Sequence, residues 1–298
     1  MTVRKRQVSH LLHDVENLIS NKNIEIPKLG IVTGIITIIL VPFIAWMSLT
    51  IPFQDKDQCR ILVNQHSLGF HFVKDGNNCF VLFIVVFFRQ FFQCTLRTAV
   101  TVVYVIICCS LRNVLKAHSE LGAKRVTNPN AKIDNVHFKS YLQTHESVLS
   151  VLKSFEKTMS LPIFLTVSSD IMAVMFGVVI LDPLNNVPEY ISYIVKYIPA
   201  VIFISLSGMA SFLCICFAAA EVHEAGKNAR DVEKDMLKQI LNSGQTSDIQ
   251  KVVPFCILHS SPPFVLSAWG VFRFTRGLLL SAFGNVLTFS LLIMQILK

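Results

Sequence analysis

Five apolar runs, each about as long as a bilayer crossing, dominate this 298-residue chain. They are Ile31–Thr50, Phe80–Leu111, Leu161–Leu181, Ile194–Ala220 and Leu278–Leu297. A hydrocarbon interior offers the backbone no water, so such runs close their hydrogen bonds internally as helices. Hydrophobic residues make up 52% of the sequence and charged residues 15%, whereas soluble domains carry roughly 25% charge. The sequence therefore predicts an all-α, polytopic membrane protein with about five spans. Its net charge of +8 does not point to nucleic acid, because the basic residues lie mainly in the segments between apolar runs.

Those segments set an orientation. With residues 1–29 placed in the cytosol, segments 1–29, 112–160 and 221–277 carry twenty Lys and Arg, and the opposite side carries four. Cytosolic loops keep the basic excess. The expectation is a multi-pass plasma-membrane protein with a cytosolic N-terminus and an extracellular C-terminus. Residues 1–29 contain no short apolar core before a cleavage site, so the first run is expected to act as the insertion signal.

The cytosolic segments carry apolar stripes at helical spacing. One is Val8, Leu11, Leu12, Val15, Leu18 and Ile19. A second is Tyr141, Leu142, Val148, Leu149, Leu152, Phe155 and Met159. The third is Val222, Ala225, Ala229, Val232, Met236 and Ile240. Two readings fit: helices lying on the membrane surface, or membrane helices that continue into the cytosol and pack together there. The second is preferred because two stripes directly abut apolar runs. Residues 124–135, which include Pro129, read as a connection, and Pro162 suits the first turn of the third span.

Charged residues at membrane depth face a cavity or a partner. Arg89 and Arg97 lie inside the second run, and Asp170 in the third is the natural partner for one of them. Arg97, nearer the cytosolic end, is expected to snorkel; Arg89, in the outer half, is expected to line a cavity. Cys59 and Cys79 flank one extracellular segment and are read as a disulfide or as two free thiols. Gly270, Gly277 and Gly284 recur every seven residues and are read as sites of close helix packing, with Gly277 marking a bend. The eight cysteines show no metal-ligand spacing, and His223-Glu224 lacks the second histidine of a zinc-protease helix. No enzyme activity, metal or cofactor is expected.

The C-terminal third carries a resemblance. Leu266-Ser267-Ala268-Trp269-Gly270-Val271-Phe272, then Leu278–Ser281, Gly284, Thr288-Phe289 and Gln295-Ile296 resemble the arthropod gustatory receptors. That family's last helix bears Thr-Tyr, five hydrophobic residues, then Gln-Phe. Here Phe289 and Ile296 replace the two aromatic members, and the spacing is intact. Family members have seven membrane helices; the five runs here look like the third to the seventh, with no counterpart to the first two. The resemblance implies a ligand-gated, non-selective cation channel. It implies a homo- or hetero-tetramer of related subunits whose last helices surround the pore, and a small-molecule tastant bound within each bundle. On this reading residues 1–29 form a cytosolic amphipathic segment and 30–220 a four-helix ligand-binding bundle with cytosolic loop 112–160. Residues 221–276 form a cytosolic anchor and 277–298 the pore helix.

Site residues follow from that frame. Asn285, Thr288, Leu292 and Gln295 fall three to four residues apart and share one face. The amide of Gln295 suits partial replacement of a cation's hydration shell, and Phe289 with Leu292 suits a hydrophobic constriction. The tastant pocket is expected among Trp46, Phe83, Phe87, Arg89, Tyr197 and Phe203, in outer halves of the spans. The rival readings are a metabotropic receptor with an extracellular N-terminus, a solute transporter, and a truncated member that passes no current.

Overall fold

The computed structural model describes residues 28–50, 79–127, 135–181, 188–242, 264–274 and 276–297. They form five helices: α1 (Lys28–Thr50), α2 (Cys79–Val126), α3 (Asn135–Leu181), α4 (Pro188–Asn242) and α5 (Arg276–Leu297). Two short strands, β1 (Ser267–Ala268) and β2 (Phe272–Arg273), precede α5. Helices fall where the apolar runs predict them, and four carry stretches long and apolar enough to cross a membrane. The apolar stretch of α5, Leu280–Ile293, is shorter.

Local chemistry supports these helices. Hydroxyls inside the apolar runs donate back to their own helix, as Thr37 does to the Thr33 carbonyl at 2.7 Å. That satisfies them where no water is at hand. At the end of α2 the Thr127 backbone and hydroxyl both donate to the Ala123 carbonyl, and Lys124 and Arg125 sit in the last turn. Cations there complement the negative end of the helix dipole.

Helices α2, α3 and α4 run for 48, 47 and 55 residues, continuing from the apolar runs into the charged segments without a break. This corrects the placing of Pro162. It lies in the interior of α3 rather than in a first turn, because that helix already begins at Asn135. Proline costs the helix one backbone hydrogen bond, which neighbouring groups can offset in a membrane helix.

The chain divides into two compact units. In the first, described residues come from Tyr104–Phe164 and Ile215–Leu279. Leu111 and Leu115 of α2, Val148, Leu152 and Phe155 of α3, and Ile215, Ala229 and Met236 of α4 are buried there. Ala229 apart, each such chain removed from water contributes about 1.5–3 kcal/mol. Phe155 stacks on Tyr104 with ring centroids 5.2 Å apart. Farther along, Phe138, Tyr141, Met236 and Ile240 form a cluster. The second and third stripes are therefore interior to a helical bundle, which overturns the surface-lying reading for α3 and α4. The stripe Val8–Ile19 lies outside the described residues.

Gly122 fixes how closely those helices approach. A Cβ there would stand 2.7 Å from Val232 Cγ1 and 2.8 Å from the Tyr141 ring. Above this contact sits a buried polar set. His118 stacks on Tyr141 at 3.8 Å and lies parallel to His145 at 5.8 Å. His145 Nδ1 lies 2.6 Å from the Glu233 carboxylate. Several charged residues elsewhere in this unit face outward in exposed pairs, such as Lys116–Glu120 and Lys234–Asp231. Such pairs contribute little to stability.

The same unit contains a hairpin. Ser267 pairs with Arg273 and Ala268 with Phe272, closed by hydrogen bonds from Val271 N to Ala268 O and from Phe274 N to Leu266 O, both 3.0 Å. The two turn residues, Trp269 and Gly270, have φ of 51° and 72°. Both lie within the reversal closed by the Val271-to-Ala268 bond, where positive φ turns the chain back on itself. Gly270 is thus a turn residue, and the reading of it as a helix-packing glycine is corrected. A Cβ on Gly284 would meet none of the described atoms within 4 Å in the single chain.

In the second unit, described residues come from Leu29–Val103, Leu165–Cys214 and Leu280–Leu297. Its large apolar side chains are widely exposed, among them Ile39 at 64%, Phe92 at 66%, Leu96 at 70% and Leu280 at 80%. Small residues bring α3 and α4 together, since a Cβ on Gly177 would fall within 2.0 Å of Ser205 Oγ. That serine donates to the Ala173 carbonyl at 3.0 Å.

Candidate functional site

Helix α5 is exposed around most of its girth, Leu280, Leu287 and Leu291 included. Val286 and Ser290, one turn apart, are buried. Asn285, Thr288, Leu292 and Gln295 are exposed, and at 3.6 residues per turn they lie on a different side of the helix. Phe289 and Leu292 are about half exposed. Thr288 Oγ1 donates to the Gly284 carbonyl at 2.8 Å. A polar face on an apolar helix is costly to leave against lipid, so it calls for partner chains or water.

The buried face of α5 meets a charged centre within the second unit. Asp170 on α3 is fully buried and lies 3.0 Å from Arg97 Nε on α2. Arg97 Nη2 also donates to Ser207 Oγ on α4 at 3.1 Å. One turn farther along α2 and α4, the Thr101 and Ser211 hydroxyls are 2.9 Å apart. The residues alternate by one turn on each helix, Arg97 with Thr101 and Ser207 with Ser211. Three helices are thereby joined by polar contacts inside an apolar bundle. This corrects the assignment of Arg97 as a snorkelling residue. Its guanidinium turns inward because Asp170 would otherwise be an uncompensated buried charge. Arg89, expected to line a cavity, has an exposed side chain.

Beside Asp170 lies a cavity of about 20 Å³ lined by Ile171, Val174, Met209, Phe212, Ala282 and Val286. That volume admits roughly one water and is far below the several hundred Å³ of a small-molecule site. It therefore joins α5 to the ion pair without serving as a ligand pocket. Of the expected pocket aromatics whose side chains are described, Trp46, Phe87 and Phe203, none lines it. Trp46 and Phe87 do meet, edge to face, at 5.2 Å. Phe87 stacks on Phe91 at 5.6 Å, extending an aromatic row along α2. Phe203 is half-buried. The side chains of Phe83 and Tyr197 lie outside the described residues, as do Cys59 and the Cys79 side chain, so the disulfide expectation does too.

Sequence reasoning missed the serine and threonine partners of the ion pair. Their signal was available as hydroxyls spaced four apart on facing runs, Arg97/Thr101 and Ser207/Ser211. It also missed the histidine set around Glu233, whose members lie on three separate helices.

The family model described as trehalose receptor matches residues 77–298. Among solved structures, the chain is similar to the insect olfactory receptor OR5 from Machilis hrabei. The TM-score is 0.64 at 14% identity, covering 99% of this chain and 77% of that one. The same receptor in complex with eugenol gives 0.62 at 12% identity, covering 99% and 70%. No curated protein sequence matches the chain. The structural likeness gives the fold, and the family match extends over well more than half of the residues. The chain belongs to the trehalose receptor family of insect gustatory receptors.

Proposed function

We propose that this chemosensory receptor acts as a ligand-gated, non-selective cation channel, with α5 lining the ion path. The observation that carries this reading is the polar spacing of Asn285, Thr288, Leu292 and Gln295 along one exposed side of α5, across from the buried Val286 and Ser290. Four copies turning that face toward one axis would remove it from lipid. The Gln295 amide would then solvate a passing cation without holding it. Phe289 and Leu292 would narrow the closed path. In this reading the N-terminus is cytosolic, in line with the basic excess of segments 1–29, 112–160 and 221–277. The protein would work in the plasma membrane as a homo- or hetero-tetramer.

The ligand would be a small organic molecule. The family description names a disaccharide, and the structural neighbour was solved with eugenol. Whole-cell recording with trehalose, other sugars, bitter compounds and amino acids tests the channel. Cysteines placed at 285, 288, 292 and 295 should be modified by small water-soluble thiol reagents with block of the evoked current. Modification at 287 and 291 should have no such effect. Surface-expressed protein that never passes current, alone or with related subunits, would overturn the reading.

A further inference from the structure

In the unit that holds the hairpin, large apolar side chains rarely face outward. Among the described residues, the exposed ones there are Leu121, Phe217, Trp269 and Val271. Two of these flank Gly270 at the hairpin tip, each 62% exposed. Trp269 moreover holds a left-handed backbone conformation at φ 51°, which costs a non-glycine residue about 1–2 kcal/mol. A bulky apolar residue at a strained, outward-facing turn calls for something to receive it.

The hairpin is fixed in place on α3. Glu156 Oε1 accepts the Ser267 backbone N–H at 3.1 Å and also its hydroxyl. Ser160 Oγ accepts the Trp269 N–H at 2.5 Å. Phe164 packs on Trp269 at 5.3 Å and on Phe272 at 6.0 Å. The indole is therefore held at the level of Ser160–Phe164, where the apolar run Leu161–Leu181 begins. Lys153, Lys157, Ser160 and Phe164 recur at helical spacing on α3. Lys153 and Lys157 are exposed, as is Arg273 on β2. Aromatic bulk at the edge of an apolar run, with cations just beyond, matches the chemistry of a membrane interface.

We infer that the hairpin tip is a lipid-interface anchor. Trp269 and Val271 enter the boundary between headgroups and acyl chains, and Lys153, Lys157 and Arg273 engage anionic headgroups. The strand β2 leads into α5 within a few residues, so this anchor fixes the depth at which α5 starts. The inference rests on the membrane location alone and stands whether or not the protein conducts.

The chain has two tryptophans, Trp46 and Trp269, which makes a direct test available. In full-length Trp46→Phe protein in nanodiscs, emission comes from Trp269 alone. Lipids brominated near the headgroup should quench it more than lipids brominated deep in the chains, and aqueous iodide should quench it weakly. Energy transfer to dansyl-labelled phosphatidylserine should exceed transfer to labelled phosphatidylcholine. That preference should fall about fivefold for each of Lys157→Gln and Arg273→Gln. Where Trp46→Phe does not fold, the difference between wild type and Trp269→Phe gives the same emission. Strong iodide quenching without lipid quenching would place the tip in water, and resistance to every quencher would place it against another protein chain. Either result overturns the anchor, and so does equal transfer from both lipids.

Discussion

In the unit whose described residues come from Leu29–Val103, Leu165–Cys214 and Leu280–Leu297, side chains such as Ile39, Phe92, Leu96 and Leu280 face outward while Arg97 and Asp170 face inward. In the other unit Leu111, Leu152, Phe155 and Met236 are interior, and Lys116, Glu120, Asp231 and Lys234 are on the surface. Helices α2, α3 and α4 take part in both arrangements without interruption. Since the backbone is the same helix throughout, the inversion fits hydrocarbon around the first unit and water around most of the second. In the first setting a polar group is the specific element, and in the second an apolar residue is.

The contrast can be broken most severely at the ion pair. Asp170→Ala leaves the Arg97 charge uncompensated and should destabilise the protein by about 3–5 kcal/mol. The thermal midpoint of detergent-solubilised protein, read by fluorescence-detected size exclusion, measures the loss. Replacing both residues, as Arg97→Leu with Asp170→Leu, should restore much of it. An equally damaged double variant would mean that shape, not charge, is what this position supplies.

A matched pair of surface changes sharpens the point. Met172 and Leu121 are both well exposed, one in each unit. Met172→Asp should raise the apparent cost of inserting its span by about 2.5–3.5 kcal/mol, measured by glycosylation mapping of insertion. Leu121→Asp should shift thermal stability by no more than about 0.5 kcal/mol. Equal effects would remove the claim that the two units meet different solvents.

Glycines give the smallest graded test. Gly177→Ala and Gly122→Ala each press a methyl into a neighbouring helix, and each should cost about 1–3 kcal/mol in thermal stability. Ser205→Gly should rescue Gly177→Ala, because Ser205 is the nearest obstruction there. No single small replacement rescues Gly122→Ala, which meets both Val232 and the Tyr141 ring.

Hydropathy made the helices legible, because each apolar run must satisfy its backbone internally. It also picked Asp170 as an acid needing a cation. It could not choose between Arg89 and Arg97, since the choice depends on the register between helices whose contacting residues lie 110 positions apart, as Arg97 and Ser207 do. The hairpin was illegible for a different reason. Ser-Ala-Trp-Gly-Val-Phe carries no Asn-Gly or Asp-Gly turn signal, and strands of two residues are too short to show alternation. What builds it is a carboxylate and a hydroxyl on α3, Glu156 and Ser160, which no local window contains. The face of Asn285, Thr288, Leu292 and Gln295 was readable as a face from its spacing. Whether ions pass along it is a property of an assembly, which a single chain's pattern does not encode.

One consequence follows from the bond that Thr288 makes to Gly284. A hydroxyl has a single proton, and here the helix backbone already takes it. What remains directed away from the helix is oxygen alone, an electron-rich point with nothing left to donate. Were α5 to line the proposed ion path, such oxygens would favour potassium or sodium over chloride without bearing a charge.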